Sequence, residues 1–151
     1  MMKATGIVRR IDDLGRIVIP KEIRRTLHIR ESDPLEIFTD REGQVILKKY
    51  SPIGEMTTFA KQYAESLAQV SGHATLIADR DQFIAVSGGC KQLLNKSVSR
   101  QLEEKVNNRE TVIAAKGDRN YVNIAEDIAV DYAWQLITPI ICEGDIIGSV
   151  I

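Results

Sequence analysis

Apolar and polar positions alternate with a strand-like period over residues 3–11, where Ile7, Val8 and Ile11 are the apolar anchors. Asp13-Leu14-Gly15 then predicts a turn, since glycine accepts the positive φ that other residues resist. The β-branched run Arg16-Ile17-Val18-Ile19 predicts a second strand, which Pro20 stops. Proline suits the first turn of a helix, and Ile23 and Leu27 share one face of a short helix predicted over about Lys21 to Leu27. Leu35–Thr39 and Val45–Lys48 predict a hairpin across Asp40-Arg41-Glu42-Gly43.

The rhythm changes after the breaker stretch Ser51-Pro52-Ile53-Gly54, the predicted domain boundary. Met56, Phe59, Ala60, Tyr63, Ala64, Leu67 and Ala68 recur at helical spacing and predict a helix over about 55–70 with one apolar face. A hairpin is predicted from 74–78 and 83–87, and a polar helix over 91–110. Strands are predicted at 111–115, 134–141 and 146–151, with Trp134 in the core. The expected class is α+β: residues 1–53 form a small β-rich domain, and residues 54–151 an antiparallel sheet with helices on one side. About fifty residues bury little core, so the first domain is expected to need a partner copy.

Charge sharpens this division. The formal net charge is −1, yet residues 1–50 carry 11 Lys/Arg against 8 Asp/Glu, a net +3, leaving 9 against 13, a net −4, for the remainder. A basic segment joined to an acidic one is a common layout for a nucleic-acid reader attached to a second module. The candidate readers are Arg9, Arg10, Arg16, Arg24 and Arg25, placed at strand ends, beside the turn and on the short helix. Arginine suits the work because its planar fork grips phosphate, or the O6 and N7 of guanine, with two hydrogen bonds. The bland alternative is a set of solvated arginines paired with Asp12, Asp13 or Glu22. Lys3, Lys48 and Lys49 either add phosphate attraction or serve solubility.

The stretch Thr5-Gly6-Ile7-Val8-Arg9-Arg10-Ile11-Asp12-Asp13-Leu14-Gly15-Arg16-Ile17-Val18-Ile19-Pro20, with Glu22-Ile23-Arg24-Arg25-Thr26-Leu27 after it, closely resembles the AbrB-type DNA-binding domain. Leu35–Phe38 and Val45–Tyr50 continue that resemblance, which spans residues 3–52. Residues 55–151 resemble the GAF-type domain that follows this reader in a family of sporulation regulators, on phrases such as Ile84-Ala85-Val86-Ser87-Gly88 and Leu94-Asn95-Lys96-Ser97-Val98-Ser99. The resemblance implies a swapped-hairpin homodimer through residues 1–53, a homotetramer assembled partly through the C-terminal domain, and double-stranded DNA as partner. It implies a transcription regulator, of sporulation genes, that both represses and activates. It assigns DNA binding to the five arginines named above. It also implies a closing helix after the last strand, so the chain is expected to stop short of it at Ile151. Because the reader offers mostly arginine and few Asn or Gln side chains, loose, A·T-leaning recognition by shape and charge is expected.

Other chemistries find little support. His28 and His73 stand singly, without partners at metal-ligand spacing, so no metal is expected. Cys90 and Cys142 lie 52 positions apart and are expected to be buried and inert. Gly88-Gly89-Cys90-Lys91 lacks the spacing of a phosphate-binding loop and predicts a turn. With no catalytic constellation in view, neither an enzyme nor a cofactor is expected, although some GAF-type domains reduce methionine sulfoxide with cysteines. An unidentified small molecule remains a possible C-terminal ligand, whereas nothing in residues 73–151 is clustered to grip a cyclic nucleotide. The N-terminus lacks a signal peptide's apolar stretch, which predicts a cytoplasmic location. An antitoxin-like DNA- and toxin-binding module is the competing function.

Overall fold

The computed structural model describes residues 5–151; Lys3 and the start of the first expected strand lie outside them. The chain divides into two units, Met1–Lys49 and Tyr50–Ile151.

In the first unit, the described part of the strand expected at 3–11 and the strand expected at 16–19 do not form. Residues 5–11 and 16–19 are extended but unladdered, and one rung, Asp12 N–H to the Arg16 carbonyl at 3.0 Å, closes the turn between them. Strands exist only as pairs, because each backbone N–H and C=O needs a partner, and this segment finds none within its own chain. Helix α1 spans Lys21–Thr26, with the Pro20 carbonyl accepting from Arg24 N–H at 3.0 Å. Strands β1 (Leu35–Thr39) and β2 (Val45–Lys49) pair antiparallel from Leu35↔Lys49 to Thr39↔Val45, as the alternation predicts. Pro20 is the one buried residue of this unit among those described, while Val8 is 88% exposed and Val18 73%.

The second unit has a proper core. A short helix α2 (Pro52–Glu55), capped by the Ser51 hydroxyl, precedes α3 (Thr57–Ser71), which Gly72 ends in the left-handed conformation. Strands β3 (Thr75–Ala78), β4 (Phe83–Ser87), β5 (Val112–Ala115), β6 (Trp134–Cys142) and β7 (Asp145–Val150) form one antiparallel sheet in the order β4-β3-β7-β6-β5. Helix α4 covers Arg100–Asn107, with the Ser99 hydroxyl accepting from Leu102 N–H at 3.1 Å.

The structure corrects three expectations here. Helices flank both sheet faces. Leu102 and Val106 of α4 pack with Leu76, Phe83, Val112 and Ile137 on one face, and Ala60 and Ala64 of α3 with Ile77, Ile84 and Ala85 on the other. The polar helix expected over 91–110 is halved, leaving a 3-10 turn at Lys91–Leu93 and then α4. Cys90 and Asn95 adopt positive φ, and the backbone of residues 95–96 bonds to Phe83 instead of continuing a helix (Asn95 N–H to Phe83 O, 2.8 Å; Phe83 N–H to Lys96 O, 3.0 Å). Trp134 is 66% exposed, opposite to the core placement its size suggested, because it occupies an uncovered position in β6.

Helix α3 has the expected apolar face but buries only part of it. Its small residues face the sheet, while Met56 just before it and Phe59, Tyr63 and Leu67 within it lie exposed alongside them. Alanines permit close approach to the strands, and the large side chains are left for something else. Ile113 and Leu136, directly opposed in β5 and β6, are likewise exposed.

Candidate nucleic-acid interface

The five candidate arginines sit on two local devices. The first is the turn Asp12–Arg16. The Asp12 carboxylate accepts from Leu14 N–H at 3.0 Å and Arg16 N–H at 2.8 Å through Oδ1, while Asp12 O accepts from Gly15 N–H at 3.0 Å. Gly15 takes φ +75°, a conformation in which an L side chain is strained. The same carboxylate accepts from the Arg16 Nε at 2.7 Å through Oδ2. These bonds hold the Asp12 carboxyl below its ordinary range, the Arg16 backbone N–H first and the Arg16 guanidinium second. Arg9 and Arg10 lie exposed on the extended segment leading into this turn.

The second device is α1, whose last turn carries Arg24 and Arg25, the former half-buried and the latter exposed. Its C-terminal end closes through Ile29 N–H to the Arg24 carbonyl at 2.7 Å, with His28 at φ 52°. Cations in a last helical turn face the negative end of the helix dipole, which favours them there without binding to anything. Among the described residues, no hydrogen bond or ion pair restrains the side chains of Arg9, Arg10, Arg24 or Arg25. Arg16 differs, because its guanidinium is paired with the Asp12 carboxylate.

Lys48 and Lys49 separate. Lys48 is exposed, whereas Lys49 donates to the His28 carbonyl at 2.7 Å and lies 3.3 Å from Asp33, whose side chain is 1% exposed. Lys49 therefore ties β2 to the loop after α1. Sequence reading had no signal for that long-range tie, and it offered Asp12 only as one of three acidic partners for the arginines.

In the second unit, Cys142 is exposed at the end of β6, contrary to expectation, and Cys90 is half-buried with its sulfur against the Tyr132 hydroxyl. Burial, and then the Cys90 contact, push the Tyr132 phenol up to about 12. Among the described residues no group of three or more His, Cys, Asp or Glu is placed to hold a metal ion, and no helix is long and apolar enough to cross a membrane. A concavity of about 570 Å³ lies at one end of the sheet, lined by Leu67, Tyr121, Val130, Tyr132, Trp134 and Leu136 among others.

An arginine-rich small unit with little core, followed by a larger α+β unit, is the layout of a DNA-binding regulator with a separate second module. The chain belongs to the family described as Stage V sporulation protein T C-terminal, transcription factor, which matches residues 55–151. It is 57% identical to Stage V sporulation protein T of Bacillus subtilis (strain 168), over 99% of this chain and 84% of that protein. It is 43% identical to the Transition state regulatory protein AbrB of the same organism, over 72% of this chain and 93% of that one. A second family, Antidote-toxin recognition MazE, bacterial antitoxin, matches residues 8–55. The solution structure of the N-terminal DNA recognition domain of the Bacillus subtilis regulator AbrB is 63% identical, covering 34% of this chain and 94% of that one, with a TM-score of 0.30, a superposition too partial to carry an argument. The chain is thus a transcription regulator with an AbrB-type DNA-binding domain.

Proposed function

We propose that residues 1–53 bind double-stranded DNA through Arg9, Arg10, Arg16, Arg24 and Arg25, as a homodimer, and that the protein regulates sporulation genes in the cytoplasm. The observation that carries this reading is the set of arginines, four exposed and Arg24 half-buried, flanking one turn and ending one short helix, four of them without any intramolecular partner among the described residues. Cations held free at the cost of local repulsion suit a polyanion. The dimer is supported by the unladdered segments 5–11 and 16–19, whose exposed Ile7, Val8, Ile17 and Val18 suit strands supplied by a second copy. The antitoxin reading draws on residues 8–55 alone and gives no role to the folded 97 residues that match the sporulation family.

For residues 54–151 we infer a GAF-like role in assembly and sensing. The outer stripe of α3 and the exposed Ile113, Trp134 and Leu136 form an apolar surface that a second copy would cover, giving a homotetramer. The 570 Å³ concavity falls within the size range of small-molecule sites, and its lining favours an apolar or aromatic ligand over a cyclic nucleotide.

One experiment tests the DNA assignment. Gel-shift titrations across salt should give log affinity falling against log salt with a slope of about −5 to −9, for roughly 6–10 neutralised phosphates. Arg10→Ala, Arg16→Ala and Arg25→Ala should each weaken binding, by about 1–3 kcal/mol for a lost bidentate base contact and less for a phosphate contact. Arg100→Ala and Arg109→Ala, in and just after α4, should leave binding nearly unchanged. A flat salt response, or equal losses in both sets, defeats the assignment.

A further inference from the structure

The first unit contains the same turn twice. Asp12-Asp13-Leu14-Gly15-Arg16 and Asp40-Arg41-Glu42-Gly43-Gln44 each begin with an aspartate and place glycine fourth, at φ +75° and φ +82°. In each, Oδ1 of the aspartate accepts from the backbone N–H groups two and four residues on, at 3.0 and 2.8 Å for Asp12 and at 2.9 and 2.8 Å for Asp40. In each, the aspartate N–H donates to the carbonyl of the fifth residue. Capping such a turn therefore needs one carboxylate oxygen and nothing more.

The two turns differ in the second oxygen. Asp12 Oδ2 accepts from Arg16 Nε at 2.7 Å, whereas Gln44, at the equivalent position of the other turn, donates its side-chain amide to Glu42. The Arg16 side chain is held in this way while still 70% exposed. A carboxylate on Nε occupies one flank of the guanidinium and leaves its outer edge, the two Nη groups, facing away. Those Nη groups carry no hydrogen bond to any described residue. That outer edge is the one that fits two acceptors side by side, as on guanine O6 and N7. A long side chain loses rotamer freedom when it is docked, and one already fixed in a single pose loses less on binding.

We propose that Asp12 is a positioning residue that buttresses Arg16 for bidentate reading of a guanine edge. Arg16 is then the base-reading contact of each protomer, while the unrestrained Arg9, Arg10, Arg24 and Arg25 hold phosphates. This rests on Arg16 contacting DNA, and it adds one base-specific contact to a surface otherwise expected to read shape and charge. The carboxylate also lowers the net attraction of the reader for any DNA, so it favours discrimination at the expense of indiscriminate affinity.

The test uses the full chain and two DNA probes, a duplex selected by the wild-type protein from a random-sequence pool and the unselected pool itself. Asp12→Asn keeps an Oδ1 acceptor for the Leu14 and Arg16 N–H groups but replaces the charged Oδ2 with an amide NH2, a donor that cannot accept from Nε. It should lower the ratio of selected-duplex to pool affinity by about five- to tenfold, part of the discrimination of one bidentate pair. Pool affinity should stay level or rise. Replacing the guanines of the selected duplex by 7-deazaguanine, which lacks the N7 acceptor, should weaken the wild type by a similar factor and Asp12→Asn much less. Asp40→Asn, in the twin turn, should change neither ratio nor pool affinity. If Asp12→Asn preserves the ratio, or raises both affinities equally, Asp12 is a turn cap or a charge sink and the proposal is overturned. Arg16→Ala separates the premise from the inference. No loss there removes Arg16 from the DNA surface altogether, whereas loss there with an unchanged Asp12→Asn ratio removes only the buttress.

Discussion

The two units solve the problem of apolar surface in opposite ways. Residues 50–151 fold their large side chains into two clusters, one on each side of a five-stranded sheet, with Phe83, Leu93 and Ile137 wholly buried. Residues 5–49 bury Pro20 and leave Val8, Ile11, Leu14, Val18 and Ile37 at least two-thirds exposed. A chain of this size pays conformational entropy for every ordered residue and has no interior to offset it. The contrast teaches that the second unit has an interior of its own to stabilise it, while the first has none among its described residues, which is why association is proposed for it.

The largest expected effect follows directly. Residues 1–53 in isolation should unfold with a midpoint that climbs with protein concentration, because dissociation and unfolding are one step when the core is shared. Residues 50–151 should keep a cooperative transition of their own. Calorimetry over a hundredfold range of concentration checks both halves of the statement. A concentration-independent midpoint for residues 1–53, with monomer mass by sedimentation, would erase the difference between the units.

A smaller effect sharpens the second half of the comparison. The second unit is self-sufficient in its core but not on its surface, where Phe59, Tyr63, Ile113, Trp134 and Leu136 stand exposed. Trp134 is the sole tryptophan, so its emission reports on that surface without labelling. Emission should shift to shorter wavelength as the protein is concentrated, and Tyr63→Glu should abolish the shift without unfolding the domain. Hydrophobic probes added to dilute protein should quench Trp134 if the concavity beside it admits a ligand. Emission that ignores both concentration and probe would leave this face without a role in assembly or sensing.

Much of this architecture was legible in the residues. The hairpin β1–β2 and the strands of the larger sheet were legible as short apolar runs between turn residues, because their partners lie in the same chain. Strand β5 and the start of β6 also show the alternating burial of a one-sided strand. The segments 5–11 and 16–19 are also rich in apolar, β-branched residues yet form no ladder, since such a pattern states what a strand would bury and says nothing of which chain supplies the partner. Which part of the apolar face of α3 would be buried was hidden for a similar reason. Ala60 and Phe59 are both apolar, and only the close approach of helix to sheet selects the alanine stripe for burial. The five arginines were visible as residue types and, through the AbrB-type resemblance, as positions. The restraint on Arg16 was legible only as one of three acidic partners, since the sequence does not say whether Asp12, Asp13 or Glu22 meets which arginine.

The smallest expected effect vanishes at neutral pH and surfaces only in alkali. Tyr132 is half-buried, its hydroxyl meets the Cys90 sulfur, and its backbone N–H and carbonyl are both bonded to the Tyr121 hydroxyl, at 3.1 and 3.0 Å. Its phenol is pushed from 10.0 up to about 12, by burial first and by Cys90 second. A pKa raised in the folded state means the folded protein holds its proton more tightly than the unfolded chain does. The associated stability is therefore complete below pH 10 and drains away as the pH rises from about 10 toward about 12. An absorbance titration of phenolate should therefore show a late step that belongs to Tyr132. Tyr132→Phe should delete that late step. Cys90→Ala should move it only part of the way back, since burial is the larger cause. Should Cys90→Ala restore an ordinary tyrosine titration in full, the thiol and not burial governs Tyr132. Nothing in the reader unit should respond to either change, and DNA affinity at neutral pH should stay where it was.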